Sequence, residues 1–295
     1  MVKPSIGGQA IIEGVMMQNG DRIAVAVRRQ SDQEILVRPL PARRRFKKFG
    51  KMPFLRGLFG LYDMMSLGLR ALNLSAQLAF PEDEQMTKGG TFFTFTLAVA
   101  IAVGAFIVLP IYLTGFIPGT DNTIGFNLIE GGMRLLFFFV YLVLISRMKD
   151  IHRVFQYHGA EHKVVHTYEA DEELTVENAR KHTTLHPRCG TAFLMTVFVI
   201  AILIFSLVGN PSPWIKILSR LLLLPVVAGV SYEVLRYSGR HYNRLWVRIL
   251  AQPGLWLQKL TTADPDNDMI EVAIASMKQV LESSQSAVAS NPDIP

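Results

Sequence analysis

Histidine and glutamate side chains crowd one stretch in the middle of the sequence, and their spacing is that of a metal site. Six of the seven histidines lie between positions 152 and 186. On an α-helix each residue advances by about 100°, so one face would carry four of these side chains within roughly 80° of one another. They are His158, His162, His166 and Glu169. An imidazole pair four residues apart, such as His158 and His162, is a natural platform for one metal ion.

The chemistry that this pattern predicts is metal-assisted hydrolysis. The order His-x-x-Glu-His at positions 158–162 matches the inverted zincin pattern, in which two histidines bind zinc and the glutamate polarises the attacking water. Glu161 takes that catalytic role here. Glu169 is a candidate third ligand, and His186 or Cys189 could complete a tetrahedral shell. Arg188 is the candidate for binding an anionic substrate group, such as a phosphate or a carboxylate.

The predicted cofactor is a divalent metal ion, and zinc is favoured because the donors are imidazoles and a thiolate. Cys189 begins a predicted helix, whose N-terminal end favours a thiolate. The predicted metal ligands are His158, His162, Glu169, His186 and Cys189. Iron and manganese are alternatives. The competing interpretation is ordinary polar structure at a membrane surface, in which the carboxylates balance Lys163 and Arg188 and Cys189 is a free thiol.

The elements that must position these residues are membrane helices. Half of the chain is hydrophobic, and residues 89–120 and 190–215 contain no charged side chain. Each run exceeds the roughly 20 apolar residues that a spanning helix needs. Two weaker runs, 124–145 and 214–235, follow them across short turns. Glu130 and Arg134, four apart in the first of these, are expected to pair on one helix face.

The predicted fold is an α-helical integral membrane protein with about four transmembrane helices in two hairpins. A small N-terminal β unit and interfacial amphipathic helices complete it. The predicted divisions are a β unit (1–42), a basic amphipathic interfacial segment (43–88), a first hairpin (89–147), a His-rich cytoplasmic loop (148–189), a second hairpin (190–237), cytoplasmic amphipathic helices (238–282) and a disordered tail (283–295).

Basic residues predict the orientation and the partners. Arginines and lysines cluster before the first hairpin, between the hairpins and after the second, which by the positive-inside rule places all three regions in the cytoplasm. The prediction is a multi-pass protein of the bacterial inner membrane with both termini cytoplasmic. Its expected partners are the bilayer and anionic lipid headgroups, with a homo-oligomer or a membrane-protein partner left open. No motif indicates nucleic-acid binding. The first residues lack the apolar core of a signal peptide, and a single cysteine excludes an internal disulfide.

Finer predictions concern the two ends of the chain. Residues 10–17 and 22–27 are predicted strands joined by a tight turn at Asn19-Gly20, with 35–37 a third strand. Glu13 is expected to have a structural role. An interfacial segment over 245–257 is expected to break at Pro253-Gly254. A last helix is expected to run from a cap at Asp268 to about Leu281.

The motifs resemble those of the YqhQ-like family, bacterial membrane proteins classed as a domain of unknown function. Residues 7–17, 158–162 with Glu169, 186–191 and 268–273 carry the likeness. The resemblance implies a metal-dependent enzyme without an assigned reaction. The residues that match the family motifs are Gln9, Glu13, His158, Glu161, His162, Glu169, His186, Arg188 and Cys189. His166 and His182 fall outside the pattern, and structural roles are favoured for His152, His182 and His241.

The leading functional prediction is therefore a metal-dependent enzyme, most simply a hydrolase, at the cytoplasmic membrane face. A first alternative is a non-enzymatic scaffold, assembly or regulatory protein in which a structural metal or a polar network clamps the loop to the hairpins. A second alternative is a metal transporter whose path is lined by Glu130, Arg134 and Glu233.

Overall fold

A computed structural model describes residues 6–42, 52, 55–81, 88–120, 122–209, 212–241 and 244–289. Most of these residues are helical. The helices are α1 (Leu55–Ala79), α2 (Lys88–Val103), α3 (Leu109–Thr114), α4 (Thr123–Ile145), α5 (Lys149–Glu169), α6 (Val176–Arg180), α7 (Thr191–Ser206), α8 (Pro213–Arg240), α9 (Leu245–Thr261) and α10 (Asn267–Ala289). A π-helical turn, Gly104–Val108, joins α2 to α3. The basic run at 43–51 lies outside the described residues.

The predicted N-terminal β unit is confirmed as a small antiparallel sheet. Its strands, in spatial as well as chain order, are β1 (Gly7–Ile11), β2 (Gly14–Asn19), β3 (Arg22–Arg28) and β4 (Ile35–Pro39). The single strand predicted over 10–17 was wrong, because a turn at Ile12 and Glu13 divides it and Ile11 pairs with Gly14. Glu13 has a φ of 51°, so this carboxylate lies at a hairpin turn rather than within an apolar strand.

The β-hairpin formed by β2 and β3 turns one residue later than the predicted Asn19-Gly20. Asn19 pairs with Arg22, which leaves Gly20 and Asp21 as the loop. Gly20 has a φ of 63°. Positive φ at the first central residue is the requirement of a type II′ turn, and glycine meets it without strain.

Both faces of the sheet are buried, and side chains alternate between them as the strand period of two requires. One face packs against α5 and α10 through Val15, Met17, Ala24 and Ala26. The opposite face packs against α1 through Ile11, Met16, Ile23, Val25 and Val27. A strand that is buried on both sides reads as a continuous apolar run, which is why the turn at Glu13 is hidden in the sequence.

Three of the described helical stretches are long and apolar enough to cross a membrane. They are Phe92–Thr114, Thr123–Ile145 and Pro213–Ser238. The protein is therefore mostly helical with candidate membrane spans, as predicted. The remaining predicted span, in the run 190–215, is a shorter apolar helix, Phe193–Ser206 within α7. The 16 residues of α7 give a length of about 24 Å at 1.5 Å per residue, less than the roughly 30 Å hydrocarbon core.

Pro110 follows the π-helical turn and leaves one of its carbonyls without a helical donor. Proline has no N–H, so the carbonyl of Phe106, four residues earlier, loses its helical donor. The Nε of Arg134 on α4 donates to that carbonyl at 2.7 Å. Arg134 also pairs with Glu130, as their spacing predicted. The side chain thus satisfies a backbone carbonyl that would otherwise lack a donor among apolar side chains.

The C-terminal helices differ from their predicted limits. Pro253 lies inside α9, which continues through it, so the predicted break at Pro253-Gly254 was wrong. The last helix begins at Asn267 with Asp268 in its first turn and extends to Ala289, past the predicted end near Leu281. Residues 290–295 lie outside the described residues.

Candidate metal centre

Helix α5 carries the histidines that the sequence singled out. His158 and His162 are one turn apart, and their ring centroids lie 4.4 Å from each other. Gly159 lies between them on the side facing the segment after α9, where a Cβ would collide with the carbonyl of Ala263. The backbones can meet there because the residue is glycine, and the N–H of Ala263 donates to the carbonyl of Phe155 at 2.9 Å. The end of α9 is thereby fixed against α5.

The chain after α5 folds back along that helix and brings Cys189 to the histidine pair. The donor atoms of His158, His162 and Cys189 all lie within 4.8 Å of one another. The Sγ of Cys189 is 3.2 Å from the Nε2 of His158. Cys189 lies two residues before the start of α7, so this group lies where an apolar helix begins.

Both imidazoles are held by their Nδ1 atoms. The Nδ1 of His158 is 2.8 Å from the carbonyl oxygen of Thr261, and the Nδ1 of His162 is 2.5 Å from that of Thr184. A carbonyl oxygen only accepts, so each Nδ1 donates its hydrogen and each Nε2 keeps a lone pair. A ligand histidine is usually held in this way by a backbone or carboxylate acceptor.

The Nε2 of His162 is buried and has no hydrogen-bond partner among the described residues. The side chain itself is 1% exposed. An unpaired buried nitrogen costs free energy, because it has lost its hydrogen bond to water and the Oε2 of Glu161, 3.5 Å away, does not form one in its place. A cation between His158, His162 and Cys189 would accept this lone pair, so the three residues fit a bound metal ion.

A second group lies one turn further along α5. The donor atoms of His166, Glu169 and His186 also lie within 4.8 Å of one another. This group is satisfied by the protein itself: the backbone N–H of Arg188 donates to the Nδ1 of His186 at 3.3 Å, and the Nε2 of His186 lies 3.4 Å from Glu169. The guanidinium of Arg188 pairs with the same carboxylate.

His186 is held in its neutral form. Burial, and to a smaller extent the nearby His166, His162 and Arg188, lower the pKa of His186 to about 3. Its backbone is fixed by the buried amide of Gln258 on α9, which donates to the carbonyl of His186 at 2.9 Å and accepts from its N–H at 2.8 Å. The loop between α5 and α7 therefore has a defined path over the two groups.

Glu161 is buried beside the first group. Its Oε2 lies 3.5 Å from the Nε2 of His162. Burial raises the pKa of Glu161 to about 7, while His158 and the backbone N–H of Gly8 act to lower it. A Cβ on Gly8 would lie 2.5 Å from the Cγ of Glu161, so the edge strand β1 can approach this carboxylate only through a glycine.

The sequence predicted one site, and the structure divides its members between two neighbouring groups. His158, His162 and Cys189 come together with Glu161 beside them. Glu169 and His186 form the second group with His166, which the motif had excluded, and Arg188 pairs with Glu169. The rings of His162 and His186, one from each group, are 5.6 Å apart between centroids.

Other residues of the centre were not identified from sequence. The carbonyls of Thr184 and Thr261 carry no signal, since any residue type offers a carbonyl. Thr261 ends α9, and the last carbonyls of a helix lack a partner within it, so helix limits could have indicated this acceptor. Gly8 did carry a signal, because paired glycines in a strand often mark a close backbone approach.

Glu13 lies apart from both groups and joins the sheet to α5. Arg153 donates to it through Nε at 2.7 Å and through a terminal nitrogen at 2.5 Å. The hydroxyl of Tyr157 lies 3.4 Å from the same carboxylate. Glu13 raises the pKa of Arg153 through this hydrogen-bonded pairing. The contacts agree with the structural role predicted for Glu13.

Comparison with known proteins places the chain in a family. The family described as "Protein of unknown function (DUF1385)" matches residues 52–283. The uncharacterized protein YqhQ of Bacillus subtilis (strain 168) is 34% identical over 301 residues, which cover 95% of this chain and 93% of that protein. The chain belongs to the DUF1385 family. This confirms the family that the motifs indicated.

The DUF1385 match begins after the N-terminal sheet and includes every histidine of both groups. The similarity to the Bacillus subtilis protein extends over nearly the whole chain. No solved structure matches the chain. The family description names no activity, so the chemistry must be argued from the centre itself.

Proposed function

We propose that the chain is a metal-dependent membrane enzyme, most simply a hydrolase, whose metal ion binds His158, His162 and Cys189. The observation that supports this most is the buried, unpartnered Nε2 of His162. Its ring is held by Thr184 with the lone pair directed away from that carbonyl, which is how a ligand is prepared before the ion arrives. The second group offers no comparable unpaired nitrogen among the described residues.

Zinc suits this donor set. Two imidazoles and one thiolate are common ligands of tetrahedral zinc, and three protein ligands leave one position open for chemistry. When bound, the ion would supply a Lewis acid at the buried end of the loop.

Glu161 is the proposed general base. Its Oε2 lies 3.5 Å from the Nε2 of His162. A water molecule held near that nitrogen by the ion would therefore be within reach of the carboxylate, which could take its proton. Strand β1 holds it there through the N–H of Gly8. Arg188 is 48% exposed at the rim, where its pairing with Glu169 positions the guanidinium for an anionic substrate group.

The proposed membrane placement is supported by packing between the ends of the chain. The Oγ of Ser276 on α10 donates to the carbonyl of Ala24 in the sheet at 3.1 Å, and α5 packs against both elements. The sheet, α5 and α10 therefore lie on one side of the membrane. A chain that leaves and returns to the same side crosses an even number of times, so we propose that the short α7 crosses together with α8.

The proposed orientation puts that shared side in the cytoplasm of a bacterial cell, with both termini there. The basic residues before, between and after the hairpins support it through the positive-inside rule. Helices α1 and α9 present large apolar side chains outward, including Met64, Met65, Trp246 and Trp256. We propose that these faces lie in the interface and contact anionic headgroups.

A structural metal site is the second candidate, and one distance favours it. Glu161 is near enough to the Nε2 of His162 to become a fourth ligand, and a closed four-ligand shell is typical of structural zinc. Such a site would clamp the loop before α7 to α5. A transporter has less support, because Glu130 pairs with two arginines while Glu233 pairs with Arg56. These carboxylates belong to separate ion pairs.

Elemental analysis of the purified full-length protein tests the metal. We expect stoichiometric metal in the wild type and its loss in a His158→Ala, His162→Ala double variant. The control is His152→Ala, an exposed histidine of the same helix. A His166→Ala variant separates the two groups, since it should keep the metal. Equal metal in all four proteins, with each folded by circular dichroism, would remove both metal hypotheses.

A Glu161→Gln variant then separates enzyme from clamp. Wild-type and variant protein, each loaded with metal, are incubated with a bacterial lipid and metabolite extract, and depleted species are identified by mass spectrometry. Catalysis predicts that the wild type consumes a species that the variant leaves intact, with equal metal content. Identical profiles, together with reduced metal affinity of the variant, would indicate the clamp instead.

A further inference from the structure

A cavity of about 280 Å³ lies among the four apolar helical stretches, away from the histidine groups. Its walls come from α2 and the π-helical turn, from α4, from α7 and from α8. The wall residues are apolar except for two, Arg134 and Arg220. The α7 wall extends from Val197 to Phe205, nine residues, which is about 12 Å along the helix axis. The cavity is thus an apolar space with positive charge in its lining.

The two arginines share one carboxylate. Glu130 pairs with Arg134 and, at 3.2 Å, with Arg220. Arg220 also donates to the amide oxygen of Asn127 at 2.5 Å. Both guanidinium groups stack on the ring of Phe205, with their carbon atoms 5.3 and 4.7 Å from its centroid. Together, Arg134, Arg220 and Glu130 carry a net charge of +1.

Lys216 adds to the excess nearby. This side chain is buried, and its ammonium lies 3.3 Å from the centre of the Phe126 ring. A charge within a membrane span is expensive unless an opposite charge or water compensates it. Glu130 compensates only one of these cations.

Arg220 also has a hydrogen-bond donor with nothing to receive it. The side chain is 0% exposed, and its Nε has no partner among the described residues. Arg220 lines the cavity, so an acceptor placed there would satisfy the donor and the excess charge together. An arginine fork binds carboxylate and phosphate groups through paired hydrogen bonds.

We propose that the cavity binds a single-chain anionic amphiphile, with its monoanionic head at Arg134 and Arg220 and its acyl chain along the apolar wall of α7. A volume of about 280 Å³ lies just below the usual range of ligand pockets, which leaves room for one chain and not for two. The head carries one negative charge, either the carboxylate of a fatty acid or the phosphodiester of a lysophospholipid. This site is separate from the proposed metal centre and does not depend on it.

The test measures binding to the full-length protein in phosphatidylcholine nanodiscs by native mass spectrometry. The anionic probes are palmitate and palmitoyl-lysophosphatidylglycerol, which distinguish the two head chemistries. Monopalmitoylglycerol is the neutral probe with the same chain. We expect at least one of the two anionic probes to bind with one molecule per protein. Its affinity should be at least about tenfold higher than that of the neutral probe, because charge-assisted hydrogen bonds form only with the anion.

A matched pair of variants locates the site. Val197 lines the cavity, whereas Val199 on the same helix is exposed on the outer surface. Val197→Phe should fill the cavity and weaken binding of the anionic probe by about tenfold or more, while Val199→Phe should bind as the wild type does. Arg220→Gln should remove the preference for the anion.

Two results would overturn the proposal. One is equal binding of the neutral and anionic probes by the wild type, which would make the cavity an unselective space for lipid chains. The other is equal binding by Val197→Phe and Val199→Phe, which would place the probe elsewhere. Since both valine variants keep the charged residues, the comparison stands even if Arg220→Gln fails to fold.

Discussion

Gly8 and Glu161 are in such close contact that a methyl group on Gly8 would lie 2.5 Å from the Cγ of Glu161. The first residue is in the edge strand of the N-terminal sheet and the second is in the helix that carries the histidines. A contact between residues so far apart in sequence shows that the sheet is part of the candidate centre. It also makes the sheet testable as a support for Glu161.

A Gly8→Ala variant should push α5 and β1 apart or rotate the Glu161 side chain. We expect a loss of about 1–3 kcal/mol in the free energy of unfolding, as is usual for overpacking a filled site. Thermal unfolding of the purified protein measures it. Gly7→Ala is the control, because a Cβ there meets no atom within 4 Å. Equal unfolding temperatures for the two variants would show that the contact is not tight in solution.

Chelation should destabilise the wild-type protein if the proposed metal binds to the folded state. A ligand present at a hundred times its dissociation constant contributes about 2.7 kcal/mol to stability by mass action. We therefore expect a chelator to lower the unfolding temperature of the wild type and of His152→Ala. It should leave the His158→Ala, His162→Ala double variant unchanged. A chelator shift of the same size in the double variant would place the metal outside this group.

The ion pair between Glu13 and Arg153 should contribute more than a surface pair. The Glu13 side chain is 9% exposed and receives two hydrogen bonds from Arg153. Glu13→Gln should cost about 1–3 kcal/mol, because it leaves the buried end of the pair without its charge. Glu34→Gln, in the exposed pair with Arg29 at 3.6 Å, should cost less than about 0.5 kcal/mol. Similar losses for both variants in chemical denaturation would contradict this ranking.

The hydrogen bond from Arg134 to the carbonyl of Phe106 should be coupled to Pro110. In a Pro110→Ala protein the new N–H can satisfy that carbonyl, so Arg134→Gln should harm it less than it harms the wild type. The double-mutant cycle should give a coupling of about 0.5–3 kcal/mol, measured by unfolding in a mild detergent. Pro253→Ala in α9 is the control background, for which no coupling with Arg134→Gln is expected. Additive losses in the Pro110→Ala cycle would show that the hydrogen bond from Arg134 to Phe106 does not compensate for the proline.

The sequence predicted the parts of this fold that arise from local spacing. The charge-free runs, the turn at Gly20 and the pairing of Glu130 with Arg134 each depend on residues within a few positions of one another. The same is true of the juxtaposed rings of His158 and His162. Periodicity and turn chemistry are sufficient for such features.

Features that depend on distant packing could not be predicted in this way. The loop that joins α6 to α7 determines which histidine meets Cys189, and its path is set by the buried amide of Gln258 in a helix much further along the sequence. Helix α9 continues through Pro253 although proline usually ends a helix. Local propensity gives no account of either feature.

The packing of the last helix against the first strands has a consequence for how the protein is made. Met269, Ile270, Ala273 and Met277 of α10 complete the core on one face of the sheet. Since α10 is the last of the described helices along the chain, the ribosome releases it after all the others. One apolar face of the sheet therefore stays partly exposed through most of synthesis. A premature stop before residue 267 would leave that face exposed to chaperones and proteases.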